Sequence, residues 1–297
     1  MHSGAGMILI TGAGGKTGRA VLNALVKRGS TVRVLVHRPE QADAMRALGA
    51  AEVLAGDLHD PQVIKEAFHG IEQVYHICPN MEPAEVWIAE MAIQAAVSAG
   101  VSRFVYHSVL HPQVEEMPHH WNKMRVEERL FKSGLAYTIL QPAAYMQNLL
   151  PQWQNMAQNG IYAVPYAAST RLGMVDLEDV AGAAAVVMTV PGHAGAIYEL
   201  AGGEVLTQTE VAEIAGRLLG RAVRVEQVPL GRWEQASRSA GLPDTAIATL
   251  LQMFRYYERY GFWGNPSVLS GLLGRRPASF EDFIARSLRD RSFIQPV

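Results

Sequence analysis

The sequence predicts an α/β protein: a doubly wound parallel sheet with a smaller, mostly helical C-terminal lobe. Two observations carry that reading. A short apolar run, Met7-Ile8-Leu9-Ile10, turns through glycines at 12, 14, 15 and 18 into a helical pattern. Strand-like and helix-like runs then alternate strictly as far as residue 140. Crossovers long enough for helices join parallel strands and place helices on both faces of the sheet. The expected strand order is 3-2-1-4-5-6, with a ligand crevice outside the carboxyl ends of strands one and four.

Each element has a local cause. The first helix carries Ala20, Val21, Leu22, Ala24, Leu25 and Val26, and Gly29-Ser30 ends it. Residues 31–36, TVRVLV, are dense in β-branched side chains and make the second strand. A helix near 41–48 and a third strand over 51–54 follow, the strand ending in Ala55-Gly56-Asp57. A helix over 61–68 begins on Pro61 with Asp60 as its N-cap, the positions each residue type prefers. Residues 71–77 are the fourth strand, 83–99 a long helix stopped by Gly100, and 103–107 the fifth strand. A helix over 118–133 stops at Gly134, and 136–140 is the sixth strand. Past about residue 148 the pattern loosens. Strands are expected over 162–166, 172–175, 196–200 and 222–228, and helices over 176–188, 207–219, 232–240, 244–260 and 280–288. The expected division is a sheet domain over 7–150 and a smaller lobe over 151–297 that closes over the crevice, with the strand near 196–200 able to rejoin the sheet.

Composition narrows the function classes. The chain has 297 residues, 49% of them hydrophobic, and a formal net charge of -2, which suits one large domain or two modest ones around a substantial core. That balance points neither to nucleic acid nor to an anionic membrane. A single cysteine, Cys78, excludes an internal disulfide and fits a reducing compartment, read here as the cytoplasm. Residues 1–7 have neither the charged nor the apolar region of a signal peptide and read as a short flexible leader. No apolar run reaches the length of a membrane span. No metal site is read from the sequence.

The strand–glycine–helix turn is a phosphate-binding device: glycines let the backbone approach a ligand, and the helix start offers unpaired N–H groups. Gly12, Gly15 and Gly18 form G-x-x-G-x-x-G, with Gly12-Ala13-Gly14 supplying a G-x-G as well. Dinucleotide binding is therefore expected. About twenty residues past the last glycine an acid normally accepts from a ribose hydroxyl, but this chain has Arg38, whose fork suits a 2′-phosphate. With Lys16 in the loop, Arg38 favours NADP(H) over NAD(H), although both cations also read as solvated surface residues. Asp57 could accept from an adenine amino group while Leu58 packs on the ring, or it could simply cap its turn. Cys78 and Pro79, at the end of strand four, are expected beside the nicotinamide-side ribose, with Cys78 packed rather than nucleophilic. His119 and Lys123 are four apart and share a helix face. A lysine there can orient the cofactor and favour a developing oxyanion, with histidine or water relaying the proton; paired histidines at a helix start also read as polar surface. Trp121, Tyr145, Met146 and Trp153 are candidate pocket lining, and equally candidates for plain core packing. Phe254, Tyr256, Tyr257 and Tyr260 could line the pocket or form the seam of a homodimer.

These residues resemble the NmrA-like family of atypical short-chain dehydrogenase/reductases. The resemblance lies in Thr11-Gly12-Ala13-Gly14-Gly15-Lys16-Thr17-Gly18, Gly56-Asp57-Leu58 and Arg103-Phe104-Val105-Tyr106-His107-Ser108. It continues in His119-His120-Trp121-Asn122-Lys123 with Glu127, in residues 137–148, YTILQPAAYMQN, and in Phe280-Glu281-Asp282-Phe283. It implies a Rossmann domain that binds NADP(H), Thr17 included, and a variable lobe that binds a small-molecule substrate. Where the wider superfamily has a Tyr-x-x-x-Lys pair, this chain has His119 and Lys123, so ordinary alcohol/ketone chemistry is not implied. Ser108 matches the superfamily's serine after strand five and is carried over as a helper. Relatives of this kind reduce quinones, dyes or benzylic ethers; others bind NAD(P) as redox-sensing regulators. The leading expectation is an NADPH-dependent oxidoreductase delivering hydride to a quinone, dye, enone or carbonyl compound. The alternative is a catalytically silent NADP(H)-sensing regulatory protein that binds a protein partner.

Overall fold

The computed structural model describes residues 6–290. Most of the expected leader, residues 1–5, lies outside the described residues. The chain runs β1 (Ile8–Ile10), α1 (Lys16–Lys27), β2 (Val32–Val36), α2 (Ala42–Ala47), β3 (Glu52–Ala55), α3 (Pro61–Phe68), β4 (Gln73–His76), α4 (Glu85–Ala99), β5 (Arg103–His107), α5 (Pro118–Phe131) and β6 (Tyr137–Pro142). A 3-10 segment, Met146–Gln152, leads into α6 (Trp153–Asn159), β7 (Ile161–Val164), β8 (Arg171–Leu172), α7 (Leu177–Thr189) and β9 (Ala196–Leu200). The remainder is β10 (Leu206–Thr207), α8 (Gln208–Leu219), β11 (Arg224–Gln227), α9 (Leu230–Ser239), α10 (Asp244–Tyr260), α11 (Ser267–Leu273) and α12 (Phe280–Arg289).

Seven strands form the main sheet in the order β3-β2-β1-β4-β5-β6-β9. Every pairing from β3 to β6 is parallel. The expected order therefore holds, and β9 extends it beyond β6. The inner strands are apolar because both faces of a parallel sheet are covered. Ile8, Leu9 and Ile10 of β1 are all buried, as are Val74 and Tyr75 of β4 and Phe104, Val105 and Tyr106 of β5. Helix α4 buries Ile88, Ala89, Ala92, Ile93 and Ala96, with small side chains admitting the helix close to its neighbours. Each large aliphatic side chain so buried contributes about 1.5–3 kcal/mol.

Local signals act where the sequence places them. Asp60 accepts from Gln62 N at 2.8 Å and caps α3, with Pro61 at its first position. Gly100 ends α4 in the left-handed conformation, φ 68°. Thr207 and Glu210 make a reciprocal capping box at the start of α8.

The chain divides into two compact units. One comprises the residues up to Gln113, His119–Gln141 and Val180–Tyr198; the other comprises Val114–Pro118, Pro142–Asp179 and the chain from Glu199 onward. The second unit holds, among its helices, a parallel β7–β11 pair and an antiparallel β8–β10 pair, with β7, β8 and β11 falling near the strands expected over 162–166, 172–175 and 222–228. Helices α6 and α11 were not expected: Pro151 lies in the 3-10 turn before α6, and α11 is one short stretch containing Gly271. Two buried carboxylates fasten this unit's C-terminal segment. Asp176 pairs with Arg286 and accepts from Gln147 at 2.7 Å, while Asp179 accepts from Arg275 at 2.5 Å and from Ala278 N at 2.6 Å. Among the described residues no helix is long and apolar enough to cross a membrane.

Candidate active site

The parallel sheet brings five strand ends to one edge. The glycine turn follows β1, Arg38 follows β2, Asp57-Leu58 follows β3, Cys78-Pro79 follows β4 and Ser108 follows β5. All of these residues belong to the first unit, together with α5 from His119 onward, which carries His119, Trp121 and Lys123.

The glycines have separate jobs. Gly12 has φ +60°, and a Cβ there would lie 2.7 Å from the Ile77 carbonyl oxygen. A Cβ on Gly18 would meet Ala13 Cα at 2.5 Å, so this glycine lets α1 close on the turn. Gly15 is different. It is the N-cap of α1, in extended backbone at φ -79°, and a Cβ there would find only Gly12 O, at 3.6 Å. No side chain caps α1. Its N-terminal N–H groups thus present a positive dipole end beside an open glycine face, which suits a phosphate. Arg19 holds the turn by donating from Nε to Gly14 O at 3.0 Å. Gln41 links the turn to the end of β2: its Oε1 accepts from Arg38 N at 3.1 Å, and its Nε2 stands 2.3 Å from where a Gly14 Cβ would project. Lys16 and Arg38 are exposed, and Thr17 is half-buried.

At the end of β3 Asp57 caps its turn. Its Oδ1 accepts from His59 N at 2.9 Å and lies 2.8 Å from His59 Nδ1. The backbone N–H of His59 holds this carboxyl below its usual range, and the Asp57 carboxylate raises the His59 imidazole in turn. Leu58 is buried, a member of the core cluster that also holds Leu35 and Ile64. Cys78 is buried and burial pushes its thiol far up, so it remains protonated; Pro79 beside it is exposed.

Lys123 enters this edge from α5. Its Nζ donates to Glu85 Oε1 at 2.5 Å and to the His107 carbonyl oxygen at 3.4 Å, and lies 5.5 Å from the centre of the Tyr106 ring. Tyr106 donates its hydroxyl to the same Glu85 oxygen at 2.9 Å. Burial keeps the surrounding imidazoles neutral: His76 and His107 fall to about 3, His120 to about 4 and His119 to about 2. The Lys123 charge lowers all four further. His119 packs edge-on against His120, ring centres 4.4 Å apart, and its Nδ1 is buried with no hydrogen-bond partner among the described residues. Ser108 donates from Oγ to Glu127 Oε1 at 2.5 Å, and Gln141 donates to the same carboxylate at 2.9 Å. Burial raises the Glu127 carboxyl. The Ser108 proton is thus committed, leaving its oxygen as an acceptor.

The other expected pocket residues divide between the two units, Trp121 in the first and Tyr145, Met146 and Trp153 in the second. Trp121 is half-buried and, two residues from Lys123 on a helix, points to another side. Met146 and Trp153 are core residues of the second unit, and Tyr145 is half-buried where its segment bridges to Val175. Sequence reasoning missed Glu85, Tyr106 and Gln41 as participants. Tyr106 stood within a noted motif without a role, and Glu85 left only an acid at the start of a helix, which is ordinary there. Among the described residues no three His, Cys, Asp or Glu side chains are placed to hold a metal ion.

The pattern of the NmrA-like family matches residues 5–284. The chain belongs to the NmrA-like family. This NmrA-like chain is 28% identical over 282 residues to an NAD(P)H azoreductase of Xenophilus azovorans, covering 93% of this chain and 96% of the relative. It is 28% identical over 281 residues to quinone oxidoreductase 2 of Escherichia coli (strain K12), covering 94% and 98%. Among solved structures it superposes on an NADPH-dependent quinone oxidoreductase from Escherichia coli complexed with NADPH, with a TM-score of 0.83, 27% identity, and 95% of this chain and 100% of that one covered.

Proposed function

We propose that this NmrA-like chain is an NADPH-dependent oxidoreductase that reduces small electron-poor compounds of the quinone and dye classes. The observation that carries the reading is the sheet edge itself: an uncapped α1 beside an open Gly15, exposed Lys16 and Arg38, and Lys123 at the end of β5. Near full-length relatives with azoreductase and quinone oxidoreductase activities support it.

These residues fit a dinucleotide. Gly12, Gly14, Gly15, Thr17 and Gly18 would cradle the diphosphate through backbone N–H groups, and Lys16 and Arg38 would meet the phosphates. Asp57, Leu58, Cys78 and Pro79 would border the adenosine and nicotinamide-side riboses. Bound NADPH supplies the hydride. An ammonium has three donors, and Glu85 and the His107 carbonyl take two of those on Lys123, leaving one for a ribose hydroxyl. Its charge would also favour negative charge developing on a substrate oxygen or nitrogen. His119 stays neutral, so it carries a single N–H that can donate a hydrogen bond to a substrate and no second proton to release. Ser108 can receive a hydrogen bond while Glu127 holds its proton. The buried, protonated Cys78 and the absence of any other cysteine support a reducing, cytoplasmic setting.

NADPH oxidation against quinones, azo dyes, enones and aldehydes tests this, with Lys123→Ala and His119→Ala beside the parent protein. Turnover on quinones or dyes that falls at least 100-fold in Lys123→Ala, with NADPH still bound, is expected. Tight NADPH binding without turnover on any compound would replace the enzyme with a redox-sensing regulator.

A further inference from the structure

We infer that Glu85 is a positioning residue for Lys123: with Tyr106 it fixes where the ammonium sits, and thereby sets the rate of hydride transfer. The inference rests on the proposed role of Lys123 and extends it to a residue on a different element.

The geometry is specific. Glu85 is the first residue of α4 and is 2% exposed, so its carboxylate has been taken out of water. A buried charge must be paired and hydrogen-bonded to persist. One oxygen of Glu85 receives both the Tyr106 hydroxyl and the Lys123 ammonium. Tyr106 is itself rigid: it is fully buried in the middle of the sheet and its ring is stacked on His76. The hydroxyl therefore leaves Glu85 little freedom, and Glu85 in turn holds the end of a four-carbon chain that is otherwise flexible. The α4 N-terminus adds its positive dipole end to the carboxylate. The groups facing this pair are His76 and Cys78 from β4 and its end, His107 from β5, and His119, His120 and Glu127 from α5. All four imidazoles are neutral, so none repels the ammonium, and the other acid facing it, Glu127, is taken up by hydrogen bonds from Ser108 and Gln141. A reacting group displaced by about 1 Å can cost about 100-fold in rate.

A double-mutant cycle tests the inference on the full chain. Glu85→Gln keeps the shape and an acceptor for Tyr106 but removes the charge; Lys123→Met removes the ammonium. Both single variants and the double are compared with the parent for NADPH-dependent quinone reduction and for NADPH dissociation constant by fluorescence titration. Glu85→Gln is expected to lower kcat about tenfold while changing the quinone KM less than twofold, with Glu85→Asp recovering part of the loss. In the Lys123→Met background the same substitution is expected to change neither kcat nor NADPH affinity, because the residue it acts through is gone. Losses that multiply in the double variant, or a Glu85→Gln kcat equal to the parent's, would overturn the inference. If Lys123→Met alone keeps the parent's kcat and NADPH affinity, the role of Lys123 fails first, and the inference with it. Should Glu85→Gln not fold, Tyr106→Phe replaces it in the cycle, with the same non-additivity expected.

Discussion

Replacing Gly15 with alanine separates the fold from the cofactor site. The backbone at Gly15, φ -79° and ψ 168°, is one that alanine adopts freely, and the added methyl would meet nothing nearer than Gly12 O at 3.6 Å. The substitution is therefore expected to be neutral, or stabilising by about 0.4–1 kcal/mol through the unfolded chain. That methyl would nevertheless occupy the open face over which a phosphate approaches the α1 N–H groups. Losing one charge-assisted hydrogen bond costs about 1.5–3 kcal/mol, a roughly 10- to 150-fold weaker NADPH dissociation constant. Gly18→Ala is the contrast: its Cβ would lie 2.5 Å from Ala13 Cα and 2.8 Å from Gly12 O, all unyielding backbone. It should destabilise by about 1–3 kcal/mol before any ligand is added. Calorimetry for stability and fluorescence titration for NADPH distinguish the two. A Gly15→Ala protein that folds as the parent does and binds NADPH equally well would refute the assignment of this turn as the diphosphate cradle.

Two further outcomes are expected. Arg38→Ala should weaken NADPH about 10- to 100-fold and leave NADH unchanged, since only the 2′-phosphate needs the guanidinium; titration with both cofactors checks this, and a parent protein that prefers NADH would contradict it. Acid should unfold the protein early. His76 and His107 titrate near 3 and His120 near 4 when folded, against 6.5 otherwise, so the unfolded chain takes their protons first. Stability is complete above pH 6.5 and falls as the pH drops through the window toward 4 and 3. For three such groups the loss between pH 7 and 5.5 is on the order of 4 kcal/mol, a melting temperature about 6 °C lower. Equal melting temperatures at the two pH values would show that these imidazoles are not buried neutral.

Elements with a local cause were readable in the chain. Residues 61–68 fold as the helix that capping implies, and the β-branched run at 31–36 supplies β2, Val32–Val36. The glycine turn was readable because strand, turn and helix are contiguous. The Lys123 site was readable only by half. Glu85 lies 38 positions from Lys123, and nothing local marks two residues that meet through a sheet. Glu127 and Gln141 stood within noted motifs, yet their shared hydrogen bond with Ser108 arises from α5 and β6 folding back on β5. Helix α11 was invisible for the opposite reason: seven residues including a glycine are too short to establish a period.

The position of β9 has a consequence for how this polypeptide can be divided. The sheet's outermost strand is supplied by Ala196–Leu200, more than fifty residues after β6 ends at Pro142. During synthesis, β6 therefore emerges with a bare edge of N–H and C=O groups and keeps it until β9 has been made. Such edges recruit other chains. An N-terminal fragment ending near residue 150 would carry every glycine of the turn, and Lys123, yet expose that edge permanently. Expressed alone it should pair with itself and precipitate rather than serve as a minimal cofactor-binding module, whereas a fragment reaching past Leu200 retains the strand that covers it.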